Sequence, residues 1–291
     1  MLLALDATRF GYGLEEAVRL AAGRKISALE YTFQPFKASS RGSGQLSGRE
    51  RRHLRSVREL AAASGVEVSC LNLEYCLDAR AKKSVADFRA MIGKLSLVAA
   101  ELAAKRLTFV LDCRGGEEQA AALEAAAQPA IDRCAALGVK LLLRLDTPAG
   151  YRRTSLGRWA PLSPLVWRDI LSSCPGLSLS FSPADCAWQG IDYLKLLPQF
   201  MPAIEQVMAN DVEINRELIS QNGLFGPLWW RYRLPGRGQI DWRQLVEALK
   251  LYDFTGSFSI RLDDEFVGDD PAELPLALDA SMAVLAPLVR G

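Results

Sequence analysis

LGVKLLLRLD, Leu137–Asp146, joins the end of a helix to a strand within three residues. Gly138 stops an alanine-rich helix that reads from Glu117 to Leu137. Val139–Leu143 then follows, dominated by leucine, and reads as a strand buried on both faces. Strands of this kind belong to parallel sheets covered by helices. The same passage from helix through glycine to strand recurs at Gly23, before Ile26–Tyr31, and at Gly65, before Val66–Asn72.

Outward from these junctions the alternation continues along the chain. Leu2–Asp6 reads as the first strand, followed by a helix with Leu14, Val18 and Ala21 on one face. Ser47 and Glu50 have capping-box spacing and open a helix carrying Leu54, Val57, Leu60 and Ala61. Ser84 is expected to cap the next helix, whose stripe is Val85, Phe88, Ile92, Leu95 and Leu102. Leu107–Leu111 is the fourth strand, and Ser163-Pro164 starts a helix with proline in its first turn. Leu177–Phe181 and Ile204–Ala209 read as strands six and seven, with a helix over Ile191–Leu197 between them. Asp241 caps a helix bearing Trp242, Leu245, Val246 and Leu249. Phe258–Ile260 is strand eight and Ala272–Leu288 the closing helix. Eight strands alternating with helices, without a break in composition, predict one (β/α)₈ TIM barrel over residues 1–291. Pro35–Gly48, rich in Ser, Gly and basic residues, reads as a mobile loop.

The 291 residues are 49% hydrophobic, enough for a large core, and carry a net charge of +1. That balance argues against nucleic acid or an anionic membrane as partner. MLLALDATRF at the start lacks the charge pattern of a signal peptide, and no apolar run is long enough to cross a bilayer. The six cysteines form no C-x-x-C pair and read as reduced core thiols of a cytoplasmic protein. His53 is the sole histidine and lies in the basic helical stretch GRERRHLRS, which excludes chemistry needing several imidazoles.

Three stretches carry a family resemblance: FSPADCAWQGID (Phe181–Asp192), VMANDVEIN (Val207–Asn215) and, the most specific, WWRYRLPGRGQIDW (Trp229–Trp242). Together with the eight-strand pattern they resemble the sugar phosphate isomerase/epimerase family with the xylose isomerase-like barrel. The resemblance implies a divalent metal that polarises sugar oxygens and two glutamates that move protons. It implies metal ligands after strands five, six, seven and eight. Carried over by position, those sites hold Arg144, Ser182, Met208 and Arg261, and the substrate-touching histidine three residues after Ser182 is Asp185. A protonated guanidinium has no lone pair for a metal. The expectation is therefore a divergent member with no metal and no cofactor, altered in catalysis or inactive.

Arginines suit carboxylate and phosphate. One reading makes the barrel mouth a basic pocket for an anionic, sugar-like small molecule, with Glu30, Glu74, Asn210, Asp211, Arg231, Arg233 and Arg237 as further candidates. Glu30 and Glu74 are each either a general base or a hydrogen-bond partner of an arginine. A second reading pairs Arg144 with Asp185 and Arg261 with Asp211 as a structural plug. A third rebuilds an active acidic site from Asp146, Asp185, Asp211 and Asp263. In the long loop Asn215–Gln239, the run Trp229–Tyr232 points to a contact with a second copy of the chain or another non-enzymatic interaction. Gly236-x-Gly238 reads as a turn, and Arg114-Gly115-Gly116 as a plain loop before a helix.

Overall fold

The computed structural model describes residues 1–33, 45–112, 116–145, 163–224, 226, 228–267 and 272–290, and among these ten strands and ten α-helices follow one another, mostly in alternation. The strands are β1 (Leu2–Asp6), β2 (Ala28–Phe33), β3 (Glu67–Leu77), β4 (Arg106–Leu111), β5 (Lys140–Arg144), β6 (Ser178–Phe181), β7 (Ile204–Ala209), β8 (Asp211–Ile214), β9 (Trp230–Arg233) and β10 (Ser257–Ile260). The helices are α1 (Leu14–Gly23), α2 (Gly48–Ala63), α3 (Lys82–Leu102), α4 (Gly116–Ala136), α5 (Pro164–Ser173), α6 (Pro183–Trp188), α7 (Tyr193–Phe200), α8 (Arg216–Asn222), α9 (Trp242–Leu251) and α10 (Glu273–Arg290). Eight strands close a parallel barrel in the order β1-β10-β7-β6-β5-β4-β3-β2. This is the fold the alternation predicts, and the strand-end residues gather at one mouth.

The barrel strands have two different faces. On β6, Leu179 and Phe181 turn outward to the helices, where Phe181 meets Trp167 of α5 edge to face. Phe109 of β4 packs on Phe88 of α3, and Phe258 of β10 on Trp242 of α9, in the same shell. The inward face is polar. Nε2 of Gln206 on β7 donates to Glu30 on β2 at 2.6 Å, and these strands stand three apart in the ring, so the bond crosses the barrel interior. Interiors of such barrels are ordinarily filled by branched aliphatic side chains. Here Thr108, Ser180 and Ser259 occupy that space together with Glu30, Asn72 and Gln206.

The helix stops follow the expected physics at two of three glycines. Gly65 and Gly138 adopt left-handed φ of 68° and 70°, which glycine reaches without steric cost. Gly23 does not: it is the last residue of α1, and the left-handed position falls on Lys25, φ 56°. The capping box is formed, with Glu50 N donating to Ser47 Oγ and Ser47 N to Glu50. Ser163 and Asp241 cap α5 and α9 as expected. Ser84 does not cap α3, which begins at Lys82; its hydroxyl instead accepts from Tyr75 and from the backbone of Asp78.

Four short elements were hidden in the sequence: β8, β9, α6 and α8. The loop expected over Asn215–Gln239 contains β9, which pairs antiparallel with β8 in a ribbon beyond β7. The short helix α6 precedes α7 and ends at Trp188. None announces itself locally: four-residue strands and helices of six and seven residues are too short to stand without the rest of the fold. Most of the loop Pro35–Gly48, and Arg114 and Gly115, lie outside the described residues.

Among the described cysteines, Cys70, Cys134, Cys174 and Cys186 are buried free thiols. Burial pushes the Cys134 thiol up to about 12 and that of Cys174 to about 11, so both remain protonated. His53 is exposed on α2, as expected. No helix among the described residues is long and apolar enough to cross a membrane.

Candidate ligand-binding site at the barrel mouth

Arg144 ends β5 and Arg261 follows β10 by one residue. Parallel pairing fixes both, Arg144 opposite Ser180 and the backbone N–H of Arg261 donating to Ala209 at 3.2 Å. Arg261 lies on the face of β10 that carries Ser259, the face that reaches Glu30 in the interior. Its guanidinium donates from Nε to Asp263 at 3.1 Å, stands 3.3 Å from Asp6 and touches the Met208 sulfur at 3.5 Å. Its side chain is 12% exposed. The Arg144 side chain is 5% exposed and donates to Glu74 at 2.7 Å, while Glu74 itself is 46% exposed.

The expected plug of Arg144 with Asp185 and Arg261 with Asp211 is therefore built differently. Asp185 accepts from Ser182, from Trp188 Nε1 at 3.2 Å and from the Tyr232 hydroxyl at 2.7 Å. It holds β6, α6 and the ribbon together. Asp211 faces away from the barrel interior. It accepts from the backbone N–H groups of Val212, Gly236 and Ile240 and from Trp242 Nε1 at 2.9 Å. Gly236-x-Gly238 is the turn that wraps this carboxylate. A Cβ on Gly238 would fall 2.2 Å from Asp211 Oδ1, so only glycine fits.

The ribbon arginines are also engaged. Glu213 accepts from both Arg231 and Arg233, and these bonds, Arg231's first, hold its carboxyl below the usual range. Arg233 bonds Asp264 as well, and both guanidiniums lie over the Phe266 ring, at 4.4 and 5.0 Å. Arg237 lies exposed in the turn after β9. Trp229 and Trp230, expected to meet a second subunit, are each only 5% exposed. Trp230 stacks on Trp188 at 4.6 Å and Trp229 meets the same ring edge-on at 6.1 Å. The chain itself covers these rings.

Below the mouth, Glu30 is the centre of a buried chain. Its carboxyl accepts from Asn72 at 2.6 Å, from Gln206 and from Ser259; Thr108 donates to Asn72 and Ser180 to Gln206. Burial, reinforced by neighbouring Asp6, raises the Glu30 carboxyl to about 7, against the opposing pull of Arg261. Asn72, Gln206, Ser259 and Asp6 were not singled out in the sequence. The signal was present: polar residues alternate with apolar ones in strands that must be buried on both faces, as in Ser178-Leu179-Ser180-Phe181.

The comparisons with known proteins agree with the fold. No protein-family model and no curated protein sequence matches the chain. Solved structures do. A xylose isomerase domain protein from Planctomyces limnophilus superposes with a TM-score of 0.71 at 14% identity, covering 98% of this chain and 96% of its own. The fold is that of the xylose isomerase-like barrels. IOLI protein, solved with a binding zinc atom, gives 0.71 at 14% identity, with 99% of each chain covered. The probable 3-DHS dehydratase AsbF of petrobactin synthesis from Bacillus anthracis gives 0.68 at 12%, covering 98% of this chain and 99% of that one. At such identities the likeness is one of fold.

The residues that this xylose isomerase-like barrel presents at the ends of β5, β6, β7 and β10 do not fit a divalent metal. Two are guanidiniums without lone pairs, one is a thioether, and the Ser182 hydroxyl is committed to Asp185. Among the described residues, no group of three or more His, Cys, Asp and Glu side chains is placed to hold an ion. Asp146, the remaining acid of the rebuilt site, lies outside the described residues.

Proposed function

We propose that this protein is a metal-independent relative of the sugar isomerases and epimerases whose barrel mouth binds a small anionic, sugar-like molecule, with the parental catalysis altered or lost. The observation that carries the reading is the inward placement of Arg144 and Arg261, where an isomerase would hold its metal. A guanidinium offers a fixed positive charge and a planar fork of donors to a phosphate or carboxylate, with no ion to load. Glu74, the acid 2.7 Å from Arg144, is itself half in solvent, so this ion pair is one that a bound anion can replace at small cost. Asp6 and Asp263 keep Arg261 oriented meanwhile.

The test is a thermal-shift screen of phosphorylated and carboxylated sugars against their neutral parents. A ligand at one hundred times its Kd stabilises the native state by about 2.7 kcal/mol. The anionic sugars should raise the midpoint, the neutral sugars should not, and Arg144→Ala and Arg261→Met should each abolish the effect. If no anionic sugar shifts the midpoint, or both arginine variants respond like the parent, the two guanidiniums serve only to close the barrel top.

A further inference from the structure

One buried polar group at the mouth is left without a partner. Asn210 is 2% exposed, and its side-chain oxygen Oδ1 accepts no hydrogen bond from the described residues. Such orphans are rare in native structures and call for a physical account. The neighbouring polar side chains are well supplied: Glu30 has three donors, Asp185 three and Asp211 four.

Its direction follows from the strand. Gln206 and Met208 lie on the inward face of β7, where they touch Glu30 and Arg261. Asp211 lies on the opposite face, bonded to Trp242 of α9. Alternation therefore places Asn210 on the inward face, one step above Met208 and at the level of the mouth. Arg261 is its neighbour across the β7–β10 pair, where it bonds the backbone of Ala209. A cation and an unsatisfied acceptor thus stand side by side. The terminal torsion of asparagine is broad and nearly two-fold, so the carboxamide can turn its oxygen toward the mouth without leaving a rotamer well.

We propose that Asn210 Oδ1 is the acceptor for a hydroxyl of the bound molecule, which makes the ligand class a hydroxylated anion, a sugar phosphate or sugar acid, rather than a bare anion. This rests on the anion-binding reading of Arg144 and Arg261 and adds its second requirement. A site that leaves a buried acceptor unmet discriminates strongly in favour of a ligand that meets it.

The experiment is calorimetric titration of the full chain with ribose 5-phosphate, glucose 6-phosphate and gluconate, and with inorganic phosphate and acetate as anions lacking the hydroxyl. Asn210→Ala should weaken the best hydroxylated anion about tenfold and leave phosphate and acetate unchanged. Equal binding of the hydroxylated anion to parent and variant overturns the role of Asn210 while the anion site stands. Binding of none of the five to the parent overturns the anion site and this inference with it. Asn210→Leu provides a second reading that needs no ligand. It removes the unpaired oxygen and keeps the shape, so the thermal midpoint should rise by about 2–6 °C. A fall would show that the oxygen has a partner within the protein and would overturn the proposal.

Discussion

Glu30 shows how a single side chain can carry a pH signature for a whole barrel. Its carboxyl titrates at about 7 in the folded chain against an ordinary value of 4.5. A raised folded value means that the native state holds its proton more tightly than the unfolded state. The stabilisation is complete below about 4.5 and is lost as pH rises through about 7, by on the order of 3 kcal/mol. Urea denaturation of the parent should therefore show a fall in stability between pH 5 and 8 that is absent in Glu30→Gln. Parallel profiles would show that the carboxyl titrates normally. Asp211 is a buried acid with four donors and no ligand role in view. Asp211→Asn turns an amide N–H toward those donors and should cost at least about 3 kcal/mol in a denaturant titration. In the sequence both residues are an acid near a strand end. What separates them is the face of the strand, which alternation places only once the strand boundaries are known.

The ribbon of β8 and β9 is where element-level reading failed, and the reason is instructive. Trp229, Trp230 and Tyr232 in a presumed loop suggested a surface that needs covering, and aromatic residues do concentrate at interfaces. The cover is Trp188, some forty residues earlier, at the end of a helix too short to announce itself. Trp230→Ala should therefore cost about 3–5 kcal/mol, as for other buried tryptophans. The loss should be the same at low and high protein concentration, measured by denaturation across a hundredfold dilution series. A loss that shrinks on dilution would place the ring in a contact between chains. The helix ends were far more legible. The Ser47–Glu50 box, the caps at Ser163 and Asp241, and the glycines at 65 and 138 depend only on neighbours within a few residues. Gly23 misled by two positions and Ser84 by three, since the left-handed residue is Lys25 and the N-cap of α3 is Ala81.

For the whole molecule, the salient property is a closed parallel barrel whose lumen is polar and whose mouth carries guanidiniums at the ends of β5 and β10. Dialysis against EDTA, and then against Mn²⁺, should leave the thermal midpoint unchanged and the metal content below stoichiometric. One ion held per chain, with a matching rise in midpoint, would contradict the reading of these positions. The sequence by itself determined the barrel, because the strand and helix periodicities are local and recur eight times along the chain. It also determined which residue types stand at the strand ends, since counting from each strand is enough. Only the tertiary structure decided who pairs with whom: Arg144 with Glu74, Arg261 with Asp6 and Asp263, Asp185 with Tyr232, and Asn210 Oδ1 with no donor among the described residues. Those partners are set by the closure of the barrel and the fold of the ribbon, which bring together residues up to hundreds of positions apart, and a sequence pattern carries no distance across the lumen.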